Sequence, residues 1–217
     1  MSAVEKNHLL PNFSLEKGPV DVNLLKAKGY DGFGAVVVII NEQNEILMVR
    51  EVKDKEGDKK KDQWGPVYET GNAHDDNPEI TMIAGLASEL GYGVFNKLER
   101  SSIHTYGYDF RRRPDEAPSR SLITVCYLKS SDIPPKSEWG HEISEVKWLK
   151  FDDIYSLPEK GLRVNAKNIL KELSLCGALS YTDDQTTKLE IPHTLNSDLL
   201  ALRTPESDIH WTRESLN

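Results

Sequence analysis

Residues 35–40 form an unbroken apolar run, Ala35-Val36-Val37-Val38-Ile39-Ile40, β-branched from its second position onward. Such a run predicts a strand covered on both faces, at the centre of a sheet. The polar tetrad Asn41-Glu42-Gln43-Asn44 then supplies a turn, and residues 45–50 (EILMVR) read as the returning strand of a hairpin. Further strands are predicted over residues 102–108, 122–128 and 143–149, the last alternating Ile143, Val146 and Trp148 with polar neighbours.

The pattern changes period after Asn77-Pro78-Glu79. Asn77 suits a helix cap, Pro78 the first helical position, and Glu79 the positive end of the helix dipole. Ile80, Ile83, Leu86, Ala87 and Leu90 follow at helical spacing, and Gly91 is placed to end the helix in a left-handed cap. A second amphipathic helix is predicted to follow Gly161, burying Leu162, Ala166, Ile169, Leu170 and Leu173. Strands and helices in this order define an α/β domain over residues 31–175. Residues 1–30, broken by Pro11, Gly18 and Pro19, read as an N-terminal extension. Residues 51–63 interleave five lysines with acids and read as a solvated loop; residues 176–217 read as a tail that wraps the domain or meets a partner.

Composition narrows the setting. No apolar run approaches the roughly 18 residues of a membrane span, and residues 1–18 lack the continuous apolar core of a secretory signal. The two cysteines, Cys126 and Cys176, indicate neither a disulfide framework nor a thiolate metal site, which fits a reducing cytoplasm. A net charge of −8 argues against sequence-independent nucleic-acid binding, so an anionic ligand requires a focused basic site.

Three stretches carry a resemblance: GAVVVIINEQNEILMVR, the helix ending ASELGY, and HEISEVKWLKFDDIYSL. Over residues 32–173 the chain resembles the Nudix family, which implies an α/β/α sandwich with a mixed central sheet. The resemblance further implies a hydrolase of diphosphate linkages, magnesium as cofactor, a phosphorylated small molecule as partner, and a homodimer. The family signature is G-x5-E-x7-R-E-U-x-E-E-x-G-U, with U aliphatic. Anchored on Glu89-Leu90-Gly91, its arginine falls on Ala84, the next glutamate on Gly85, and the first of the paired glutamates on Ser88. Glu89 keeps its type, the earlier glutamate falls on Asp76, and the leading glycine falls on Thr70.

Positions 85, 88 and 89 share one helix face, so an intact box aims three carboxylates at one cation. Here one remains. Magnesium prefers an octahedral shell of oxygens, so Glu89 with the neutral oxygen of Ser88 makes a poor preformed site that relies on the ligand, with Asp76 as the other candidate metal ligand. The loss of the family's arginine at Ala84 leaves Asp76 without its partner. Gly85, costly inside a helix by about 1 kcal/mol relative to alanine, reads as drift rather than as a need for close approach.

Other candidates lie outside the box. His141 and Glu142, with Glu138 nearby, stand before the last strand, where the resemblance places a general base; a polar strand edge is the plainer account. Arg111, Arg112 and Arg113 can fork onto a diphosphate, although a basic triplet before Pro114 is also an ordinary exposed loop. Trp64 is the best candidate to stack on a base, ahead of Tyr106, Tyr108 and Phe110, since strand aromatics commonly belong to the core. Asp75, Asp76 and Glu79 cluster before and at the helix start, where acids commonly serve as caps, and His74 alone adds little. The first functional expectation is recognition of a nucleoside-diphosphate-linked or other phosphorylated small molecule with hydrolysis weak or absent. The alternatives are a magnesium-dependent hydrolase, with Glu89, Glu142 and His141 as catalytic residues, and a non-catalytic scaffold of the RNA-processing kind.

Overall fold

A computed structural model of the chain describes residues 16–18, 22–30, 32–52, 62–71, 78–101, 105–110, 117–163, 165–180 and 186–188. In chain order these form β1 (Glu16–Gly18), α1 (Val22–Ala27), β2 (Gly32–Ile40), β3 (Ile46–Glu51), β4 (Trp64–Gly65), β5 (Val67–Thr70) and α2 (Pro78–Leu90). Then come β6 (Glu99–Ser101), β7 (Thr105–Phe110), β8 (Ser119–Tyr127), β9 (Ile143–Leu149), α3 (Phe151–Ser156), α4 (Ala166–Leu175) and β10 (Thr186–Lys188).

β2 is the centre of the sheet, as its apolar run requires. It lies parallel to β8 along its whole length, from Gly32 opposite Ser119 to Ile40 opposite Tyr127. That pairing starts β8 at Ser119, ahead of the apolar run that marks it in the sequence. On its other side β2 changes partner: Ile40 meets Ile46 of β3, whereas Gly34 to Val37 pair with β5. β9 and β4 extend from β3, and β7 and β1 extend from β8, giving a mixed sheet. The hairpin between β2 and β3 is tied by Asn41, whose Oδ1 accepts the backbone N–H of Gln43 and Glu45 at 2.9 and 2.8 Å.

Side-chain alternation along β2 divides the core into two layers. Ala35, Val37 and Ile39 pack with Met82, Ile83, Leu86 and Leu90 of α2, while Val36, Val38 and Ile40 pack with Ile169, Leu170 and Leu173 of α4. This is the expected α/β/α sandwich. Tyr106 and Tyr108 belong to the α4 layer, so their rings are core and not a stacking platform. Part of the segment read as an extension joins the domain, because β1 pairs with β7 and Leu25 packs with Phe33 and Leu122.

Both helix ends carry a difference from expectation. Gly91 has a positive φ of 81°, but with ψ at 167° it adopts an extended conformation open to glycine alone rather than a left-handed cap. A β-carbon there would run into the carbonyl oxygen of Glu138. α4 starts at Ala166, not directly after Gly161, because Leu162 bridges to Trp64 and the Arg163 N–H is spent on the Trp64 carbonyl at 2.8 Å.

Candidate functional site

The C-terminal half of α2 sets Gly85, Ser88 and Glu89 beside β5. Gly85 is where strand and helix come closest: a β-carbon on it would lie 2.8 Å from Cβ of Glu69 and 3.5 Å from Cγ1 of Val67. Close approach, not drift, accounts for this glycine. Glu69 Oε1 accepts the Thr70 N–H at 3.1 Å, and Ser88 Oγ reaches Glu69 Oε2 at 3.5 Å while donating to the Gly85 carbonyl at 3.0 Å.

Glu89, expected as a metal ligand, is 9% exposed and ion-paired. Nη1 of Arg163 donates to its Oε1 at 3.1 Å and to the Pro66 carbonyl at 3.3 Å, while Nη2 lies 2.6 Å from Oε1 of Glu51. The guanidinium also sits over the Tyr68 ring, 5.4 Å from its centroid. Its stem crosses Gly65, where a β-carbon would stand 2.5 Å from Cδ. Residues of β3, β4, β5 and α2 thus surround one arginine that is 6% exposed.

Burial pushes the Glu89 carboxyl up to about 7, against the pull of Arg163, and the charges of Glu51 and Glu69 add to the rise. Burial works against the charged form of Arg163, but Glu89 and Glu51 outweigh it and keep the guanidinium protonated. Burial likewise raises the Tyr68 hydroxyl, with Arg163 opposing. Oε2 of Glu89 is buried with no hydrogen-bond partner among the described residues. Nothing in the sequence singled out Arg163; its one signal is a lone cation inside the apolar flank Leu162 to Ala166.

This donor set does not fit magnesium. The oxygen retained at the family position is held by a guanidinium, positions 85 and 88 offer no carboxylate, and a second cation beside Arg163 meets like-charge repulsion. Among the described residues no three His, Cys, Asp or Glu side chains are grouped to hold a metal ion. Asp76, with His74 and Asp75, lies outside the described residues, as do Arg111, Arg112 and Arg113.

The turn bearing His141 and Glu142 meets α2 through its backbone, the Gly140 N–H donating to the Glu89 carbonyl at 3.1 Å. The His141 side chain is 82% exposed and lies 3.8 Å from the Glu142 carboxylate. Trp64 is partly buried, its ring flanked by Arg50 at 5.6 Å and Lys147 at 5.4 Å. Those cations are tied by Glu145, which pairs with both, and by Asp62, 2.5 Å from Arg50.

A mixed sheet lies between two helical layers, with the glycine-ended helix α2 packed on one of its faces. A model of the NUDIX domain matches residues 32–173, and the chain belongs to the Nudix family. Among solved structures, the fold is similar to an Ap4A hydrolase binary complex from C. elegans, with a TM-score of 0.50 at 14% identity, covering 68% of this chain and 98% of that one. A MutT protein from Methanosarcina mazei Go1 gives 0.49 at 14% identity, covering 69% and 97%. The NUDIX domain of Shewanella oneidensis NrtR, complexed with ADP ribose, gives 0.49 at 15%, covering 70% and 91%. No curated protein matches the sequence. Among the described residues no helix is long and apolar enough to cross a membrane.

Proposed function

We propose that this Nudix-fold chain recognises a phosphorylated small molecule of the nucleoside-diphosphate-linked kind and hydrolyses it weakly or not at all. The observation that carries the reading is the Glu89–Arg163 ion pair: the one carboxylate kept from the family's box is buried under a guanidinium instead of facing a ligand-borne cation. The ligand class is taken from the family, and the weak turnover from the residues. Positive charge for the ligand's phosphates then comes from Arg111, Arg112 and Arg113, whose paired donors match phosphate oxygens without a metal. Trp64 is proposed to stack on the base, and the exposed His141 and Glu142 to border the ligand as polar contacts.

Calorimetric titration of ADP-ribose and nucleoside diphosphates into the wild type and the three single arginine-to-alanine variants, each with EDTA and with Mg2+, tests this. The expected result is binding that EDTA leaves intact and that at least one variant weakens tenfold or more, since a charge-assisted hydrogen bond contributes about 1.5–3 kcal/mol. Binding seen only with Mg2+, or unchanged in all three variants, refutes it.

A further inference from the structure

Arg163 is held more elaborately than a structural arginine requires. Its backbone N–H is fixed to the Trp64 carbonyl, its stem lies where only glycine at position 65 leaves room, and its fork is shared by Glu51, Glu89 and the Pro66 carbonyl. Two residues on, Asn165 is buried in the left-handed conformation at φ 65° and ψ −7°, with Oδ1 unpartnered among the described residues. A non-glycine residue in that region persists only when its surroundings impose it. Here it turns the chain sharply from Arg163 into α4.

The charges around the fork explain the effort. Glu51 from β3 and Glu89 from α2 touch the guanidinium, and the charge of Glu69 from β5 is also felt at Glu89. A buried carboxylate such as Glu89, with the part-buried Glu51 beside it, needs a compensating cation. The family draws its cation from solution, whereas this chain carries one on its own Arg163 side chain. We propose that the Arg163 guanidinium stands in the place of the family's divalent cation, as a resident countercharge for Glu51 and Glu89 that makes the box helix independent of metal. A guanidinium supplies charge and direction, but it is no Lewis acid and cannot ionise a bound water. The substitution keeps the architecture and drops the chemistry.

The inference rests on the box reading of α2 but needs no ligand for its test, so it fails or stands separately from phosphate recognition. Thermal unfolding of the full chain is followed at pH 8, in EDTA and in millimolar MnCl2, for the wild type, Glu89→Gln, Arg163→Met, and Arg163→Met combined with Glu89→Gln. The wild-type midpoint is expected to be the same in both buffers. Arg163→Met is expected to melt lower in EDTA and to rise by about 5 °C or more in Mn2+, because a cation that binds only the folded state raises its midpoint. That rise is expected to vanish when Glu89→Gln is added. A wild-type midpoint that rises in Mn2+ through Glu89 overturns the proposal, since a metal would then bind beside Arg163. An Arg163→Met protein that Mn2+ does not stabilise, whether folded or unfolded in EDTA, also overturns it and leaves Arg163 a structural ion pair.

Discussion

Replacing a glycine inside a helix with alanine ordinarily stabilises a protein by about 1 kcal/mol, through lost chain freedom in the unfolded state and better helix propensity. At Gly85 the opposite sign is expected. The new methyl would stand 2.8 Å from Cβ of Glu69, well inside contact distance, and 3.5 Å from Cγ1 of Val67. Glu69 cannot swing aside at its Cβ, because that atom hangs on β5, whose register against β2 pairs Glu69 with Ala35. The helix must lift from the strand instead, and Leu86 and Ile83, both fully buried, lift with it. Overpacking of this kind costs roughly 1–3 kcal/mol, so the net effect of Gly85→Ala is a loss of about 1 kcal/mol, with 2 as the upper end. Urea unfolding with an unchanged m-value measures it. Ser88→Ala, at an exposed position of the same helix, is the control and is expected to change stability by no more than about 0.5 kcal/mol. A Gly85→Ala protein more stable than the wild type would show that helix and strand part freely, and would refute the close-approach account.

Three further outcomes are expected. Because burial holds the Glu89 carboxyl near 7 against an ordinary 4.5, the folded chain keeps a proton between those values that the unfolded chain releases. That contribution to stability, at most about 3 kcal/mol, is complete below pH 4.5 and disappears as pH rises through 7; urea midpoints from pH 5 to 8 should fall in the wild type, and the Glu89 component should be missing from Glu89→Gln. Val38, with no exposed surface in β2, should not tolerate aspartate: Val38→Asp is expected to abolish cooperative unfolding by circular dichroism, whereas Leu175→Asp at an exposed site should fold normally. Purified protein should hydrolyse diphosphate linkages only slowly in Mg2+, measured as phosphomonoester products, and strong turnover that is lost in Glu89→Gln would sink the reading of the helix as altered.

What the sequence made legible is what neighbours in the chain decide. The β-branched run at 35–40 needs cover on both faces wherever it goes, and Pro78 opens a helix by backbone chemistry alone. β5 and α3 are short, with four and six residues, and carry too little periodicity to announce themselves. The start of α4 is not legible locally, because Leu162 fits the helical spacing while the Trp64 carbonyl that captures the next N–H is far away in the chain. The Arg163 site was invisible for the same reason: its meaning lies in Glu51, Gly65 and Glu89, each from a different element. Gly85 looked like decay because a sequence does not show what stands opposite a missing side chain.

The shared fork of Arg163 also bears on how this chain could change over time. Removing the arginine alone leaves the buried Glu89 carboxylate without its cation, a loss of about 3–5 kcal/mol for a pair of this kind and a large fraction of what holds a domain folded. Restoring a glutamate at position 85 alone forces a longer side chain, and a further negative charge, against Glu69. Each step back toward a metal-binding box is therefore uphill until the others have been taken, because neighbouring substitutions in one charge network are not additive. The ion pair acts as a ratchet: single changes at Arg163 or Gly85 each lower stability before a metal site can form.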